Sequence, residues 1–292
     1  MPSGDGDHAV AAAKQADLVL FVGGLSARIE GEEMKVTAPG FAGGDRTSLD
    51  LPAPQQKLLE RVHAAGKPVV LVLMNGSALS VNWADAHIPA IVEAWYPGGE
   101  GGHAVAGLIA GDFSPAGRLP VTFYKSADQL PPFPDYHMAG RTYRYLTGDP
   151  LYPFGHGLSY TRFHYGAARL STPTVKADGT VEISVDVTNQ GPRDGDEVVQ
   201  LYVSHAGVPG APLRALQRFE RVHLKRGETR KTVFTLDARA LSVVGEDGVR
   251  RVSPGRVQLW IGGGQPEGRP GLPAAPGVAA QLEVSGSAVL PK

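Results

Sequence analysis

LVLFVGG, residues 18–24, is an unbroken apolar run that ends in two glycines. A strand exposed on one face alternates apolar and polar residues, whereas a strand buried on both faces reads as a continuous run. The terminal glycines mark the point where such a strand opens into a loop. The same design recurs in KPVVLVLMNG (67–76) and, ending in Trp95-Tyr96 and glycines, in PAIVEAWYPGGEGG (89–102). Between these runs lie helical patterns. HAVAAAKQAD (8–17) is Ala-rich, and PAPQQKLLERVHAAG (52–66) spaces Leu58, Leu59 and Val62 along one face between an early Pro and Gly66. HAVAGLIAG (103–111) is a third helix. Strands alternating with helices predict an α/β layer with a parallel sheet, whose ligands gather at the carboxyl ends of the strands.

The texture changes twice further along. Residues 112–165 are dense in Pro, Gly and aromatics, too aromatic for a disordered linker. From about 165 to 264, TVEISVDVTNQG, DEVVQLYVSH, RALQRFERVHLKRGETRKTVFTL and GRVQLWIGG alternate apolar and polar residues between turns. Roughly seven short strands in that length predict an immunoglobulin-like sandwich. AAQLEVSGSAVL in the tail reads as an extra edge strand. The predicted organisation is α/β followed by all-β: an α/β domain over 1–125, an aromatic and Pro-rich connection over 126–164 packed on it, and a β-sandwich over 165–292.

Composition narrows the function. Lys+Arg total 28 and Asp+Glu 29 in 292 residues, so no global field favours nucleic acid or an anionic membrane. No segment approaches the ~20 apolar residues of a membrane span. Cysteine is absent, which removes disulfides and thiolate metal sites, and the nine histidines form no ligand pair, so no metal is expected. GGEGG (98–102) lacks the Lys-Ser/Thr of a phosphate loop and the glycine spacing of a dinucleotide site. The N-terminus shows no signal-peptide pattern.

One local crowding stands out in this nearly neutral chain. IEGEEM (29–34) sets Glu30, Glu32 and Glu33 within four positions, in the loop that leaves the first strand. Neighbouring carboxylates raise one another's pKa, which is what a general acid requires. A solvated acidic loop is the plainer reading.

These segments together, with GRLPVTFY (117–124) and LYPFGHGLSY (151–160) as the most specific, resemble the C-terminal half of glycoside hydrolase family 3, the β-glucosidases and β-xylosidases. The resemblance is colinear from about 8 to 264 and implies a parallel-sheet α/β sandwich domain, truncated at its start, followed by a fibronectin type III-like domain. It implies a retaining exo-β-glycosidase acting on terminal β-linked glucose or xylose, with no cofactor. The nucleophilic Asp would come from a (β/α)8 barrel that this sequence does not contain, supplied by a missing segment or a separate chain. A periplasmic or secreted location follows from the resemblance alone.

The resemblance also implies that the acid/base Glu lies in the acidic loop. Counting from the glycines that end the first strand, Glu30 matches best; counting back from Asp45-Arg46 leaves Glu33 and Glu32 as alternates. Asp45 and Arg46 are read as a clasp on this long loop. Trp95 and Tyr96 are candidates for stacking on a sugar face, against plain packing. Arg141 and Tyr143, with Arg144 and Tyr145, are candidates to flank the sugar entry, with scaffolding the commoner role for at least two of them. The rival reading of the whole is a non-catalytic, carbohydrate-associated or structural module.

Overall fold

A computed structural model describes residues 5–291. It divides into two units: residues up to 110 together with 123–130, and residues 111–122 together with 131–292.

The first unit is the α/β layer. Its elements are α1 (Asp5–Gln15), β1 (Val19–Gly24), the short hairpin β2 (Phe41–Ala42) and β3 (Asp45–Arg46), α2 (Ala53–His63), β4 (Val69–Met74), α3 (Asn82–His87), β5 (Ala90–Glu93) and α4 (Gly101–Ala110). β1, β4 and β5 form a three-stranded parallel sheet in that order, with Gly24 opposite Met74 and Leu71 opposite Ile91. All three strands therefore end on one edge. β4 is central and the most apolar: Val69, Leu71, Val72 and Leu73 are buried. Leu59 and Val62 of α2 are buried as their spacing predicts, and each such side chain contributes about 1.5–3 kcal/mol of burial. β1 departs from the reading of a strand buried on both faces. Phe21 is buried, but Leu20 and Val22 are 50% and 61% exposed.

The second unit is a β-sandwich with the aromatic segment wrapped onto it. After α5 (Thr142–Tyr145) come β6 (Phe163–Tyr165), β7 (Arg169–Leu170), β8 (Thr174–Lys176), β9 (Val181–Asn189), β10 (Gly195–Ser204), β11 (Ala215–Leu224), β12 (Thr229–Leu236), β13 (Val243–Val244), β14 (Arg250–Val252), β15 (Gly255–Gly262), β16 (Gly277–Ser285) and β17 (Ala288–Leu290). One sheet runs β11-β10-β15-β16-β8; the other runs β12-β9-β6, with β7 also on β9. Alternation decides what goes inside: Val181, Ile183, Val185 and Val187 of β9 meet Val199, Leu201 and Val203 of β10 in one core.

Two expectations change here. The tail strand β16 is not an edge, because β8 pairs with it in parallel on the side away from β15. And the connection expected over 126–164 on the α/β layer is split. Residues 123–130 stay with the α/β unit, where Phe123 is buried and Ser80 Oγ donates to the Tyr124 carbonyl (2.8 Å). Residues 131–164 join the β-sandwich, because their polar groups find partners there: the Leu216 N–H donates to the Tyr143 hydroxyl (3.1 Å) and Arg214 to the Tyr143 carbonyl (2.9 Å).

Candidate functional site

The acidic loop leaves the carboxyl edge of the sheet through a tight exit. Gly24 has φ 129, and a Cβ there would stand 2.1 Å from the Met74 carbonyl oxygen, so only glycine lets the ends of β1 and β4 lie this close. Gln55 of α2 grips the exit from the side. It accepts from the Gly24 N–H and donates to the Gly24 carbonyl, both at 2.8 Å. The loop then folds on itself over the β2–β3 hairpin: Met34 N–H donates to the Gly43 carbonyl (2.8 Å) and Thr47 N–H to the Gly40 carbonyl (2.9 Å). Gly44 is buried at φ 95, and a Cβ there would lie 2.0 Å from the Gly31 carbonyl oxygen. Gly44→Ala is therefore expected to cost about 1–3 kcal/mol locally and to expose the loop to protease before the rest of the unit opens. Limited proteolysis of the whole chain measures this, and an unaltered cleavage pattern would contradict it.

The three carboxylates do not act as one cluster. Glu30 turns into the fold, with its side chain 17% exposed. The Ser77 hydroxyl donates to it, and Arg46 Nη1 lies 3.6 Å from Oε1. The Tyr96 hydroxyl faces the same carboxylate; burial and then the Glu30 charge push the Tyr96 phenol above its ordinary pKa. Glu32 and Glu33 are exposed, and neither has a hydrogen-bond or ion-pair partner among the described residues. Glu33 has φ 51, a left-handed backbone that a non-glycine residue adopts only when its surroundings impose it.

Arg46 contacts several parts of the loop, and Asp45 takes no part in these contacts. Its guanidinium donates to the Ser48 carbonyl (2.9 Å), the Ser77 hydroxyl (3.0 Å) and the Asp50 carbonyl (3.5 Å), and packs over Phe41 at 5.6 Å. One planar group with several donors ties together three stretches of loop, which lysine could not do. Asp45 is exposed and unpartnered among the described residues, because alternation along β3 points it away from Arg46. Of the Asp45-Arg46 pair, Arg46 alone makes these contacts.

Trp95 packs edge-on against the buried Phe123, with ring centroids 6.1 Å apart. Tyr96 is 50% exposed. Arg141 and Tyr143 are both engaged within the second unit. Arg141 donates to the carbonyls of His137 (3.2 Å) and Asp135 (2.5 Å), and Tyr143 stacks on Phe154 at 4.1 Å.

Four residues of this edge escaped the sequence reading: Gln55, Asn75, Ser77 and Glu93. Asn75 is wholly buried just beyond β4, and Glu93 closes β5. Burial pushes the Glu93 carboxyl up to about 7, against the hydrogen bonds from Asn75 and Trp95 that favour its ionised form. The available signal was a lone carboxylate ending an otherwise apolar strand, at the edge where ligands gather. Among the described residues no group of three or more His, Cys, Asp or Glu could hold a metal, and no helix is long and apolar enough to cross a membrane.

The chain matches the glycosyl hydrolase family 3 C-terminal domain over residues 4–160 and a fibronectin type III-like domain over 197–265. It is 43% identical over 260 residues to a xylan 1,4-beta-xylosidase of Xylanibacter ruminicola, covering 88% of this chain and 30% of that protein. It is 38% identical over 269 residues to a periplasmic beta-glucosidase of Salmonella typhimurium, covering 88% of this chain and 34% of the other. Among solved structures, a β-glucosidase from Erythrobacter marinus superposes with a TM-score of 0.81 at 34% identity, over 96% of this chain and 36% of that one. A Kluyveromyces marxianus β-glucosidase in complex with glucose gives 0.82 at 28% identity, over 99% and 34%. The chain spans about a third of the length of these relatives. Matched over more than half its length by the family's own C-terminal domain, the chain belongs to glycosyl hydrolase family 3.

Proposed function

We propose that this chain is the part of a retaining exo-β-glycosidase that supplies the general acid/base, acting on terminal β-linked glucose or xylose. The observation that carries the reading is the acidic loop itself: a carboxylate-rich segment held by Arg46, Ser77 and Gly44 at the carboxyl edge of a parallel sheet. Relatives named as β-xylosidases and β-glucosidases support the substrate class.

Retaining hydrolysis needs two carboxyl groups about 5–5.5 Å apart. One attacks the anomeric carbon while the other gives its proton to the departing oxygen. The second group then takes a proton from water as water displaces the enzyme carboxylate. This loop would furnish the second group, and a barrel would furnish the first. The exposed face of β1 at Leu20 and Val22 supports a further segment covering it.

Glu30 is the match by position, yet its oxygens are engaged by Ser77, Arg46 and Tyr96. We assign it the task of anchoring the loop. The acid/base then falls to Glu32 or Glu33, whose exposed carboxyls are free to meet a glycosidic oxygen.

The purified 292-residue chain is expected to show no turnover of 4-nitrophenyl β-glucoside or β-xyloside, because one carboxyl cannot perform both steps. Joined to the N-terminal barrel of a close relative, it should gain that activity. Turnover by the chain alone, co-purifying with it through several steps, would overturn the proposal.

A further inference from the structure

Glu93 sits where the exits of β4 and β5 meet. Asn75 Nδ2 lies 3.2 Å from each of its carboxyl oxygens, and the Trp95 N–H donates to Oε1 at 3.0 Å. The same Asn75 amide donates to the Ser77 carbonyl at 2.8 Å. Ser77 in turn gives its hydroxyl proton to Glu30 and accepts from Arg46. A continuous line of hydrogen bonds thus runs from Trp95 through Glu93, Asn75 and Ser77 to Glu30, joining the β5 and β4 exits to the acidic loop. Two costs along this line need a purpose. Asn75 is fully buried with its Oδ1 unpartnered, and Trp95 is held at φ 53, a left-handed backbone unfavourable for a bulky residue.

We propose that Glu93 is a positioning residue for the acidic loop: by tying Asn75 and Trp95 together it fixes Ser77, and through Ser77 the Glu30–Arg46 clasp. Its importance for catalysis rests on the acid/base reading above; its effect on the loop does not.

A pH dependence follows from this role. Glu93 enters no ion pair among the described residues. The charged groups beyond it, Glu30 and Arg46 of the loop, pair with each other, and Tyr96 faces Glu30. Burial therefore governs its proton, held up to about 7 in the closed fold. An opened edge would return the group to an ordinary carboxyl near 4.5. The closed state thus binds the extra proton. Its advantage is complete below about 4.5, declines as pH rises, and is gone above about 7.

Hydrogen exchange of residues 25–50 in the whole chain, corrected for the intrinsic rate, reads this directly. Between pH 5 and pH 8 the wild-type loop should lose protection by about tenfold or more, because a proton held by the closed state alone tips the balance about tenfold for each pH step between the two values. Glu93→Gln keeps the shape and one acceptor without the charge. It should hold the loop at the protection seen at low pH, with a flat profile. Glu93→Ala should raise loop exchange by about tenfold or more at every pH, with β9 of the β unit unchanged. The proposal falls if Ala leaves the loop as protected as wild type, if Gln is as damaging as Ala, or if the wild-type profile is flat. Should the alanine variant fail to fold, the wild-type and glutamine profiles decide. A well-protected loop in a barrel-linked enzyme that stays inactive would count against the acid/base reading and leave this one standing.

Discussion

Arg118→Ala is expected to destabilise the β unit by about 3–5 kcal/mol. Arg118, in the GRLPVTFY segment, places Nη2 2.7 Å from Glu197 Oε1, with the two side chains only 9% and 2% exposed. Its Nε also donates to the Gly263 carbonyl at 3.0 Å, so one guanidinium joins residue 118 to both β10 and the end of β15. Burial pushes the Glu197 carboxyl above its ordinary value, and Arg118 is the chief influence pulling it back. Without the arginine, a carboxylate would be left in the interior with only the Val198 N–H beside it. The variant should escape by protonating Glu197, so the loss should be smaller near pH 4.5 than at pH 8. Here the sign follows the raised folded pKa: stability is present below the unfolded value and lost above it. Replacing both partners, Arg118→Met with Glu197→Leu, should cost far less than the single change, because no charge is then stranded. Denaturant melts at the two pH values test both statements. A single variant no weaker than the double would show that the pair is not electrostatically coupled.

The second large effect concerns catalysis in a barrel-linked enzyme. Glu32→Gln or Glu33→Gln, whichever removes the acid/base, should lower kcat/KM for poor leaving groups by about 10²–10⁴. Activated aryl glycosides need little protonation, so their first step should suffer less. Added azide should restore turnover in that variant, because a small anion attacks the glycosyl-enzyme without a general base. Glu30→Gln should behave differently. It removes the charge that pairs with Arg46 and leaves a single, neutral acceptor for Ser77, so it should loosen the loop and reduce activity on good and poor leaving groups alike, without azide rescue. Azide rescue of Glu30→Gln, with Glu32→Gln and Glu33→Gln active, would return the acid/base assignment to Glu30.

The acidic loop illustrates where sequence and structure divide the work. Three glutamates in four positions single out this loop, and the glycines before them locate it at the end of a strand. Their spacing says nothing about which turns inward. That depends on Ser77, 47 positions from Glu30, and on Arg46 in the β2–β3 hairpin. The same holds for Glu93, whose character comes from Asn75, 18 positions earlier on the neighbouring strand exit.

The layers of the molecule were written in local periodicity. Continuous apolar runs separated by helical spacing marked the parallel sheet, although one face of β1 stays exposed, and strict alternation marked the β-sandwich. Pairing at long range was decided by tertiary structure. β16 became an interior strand through β8, more than a hundred residues earlier, and the segment 131–164 went with the β-sandwich through the contacts of Tyr143. Local sequence specifies which face of an element is apolar. Which partner covers that face, and which buried polar group meets which donor, follows only when distant segments compete for the same surface.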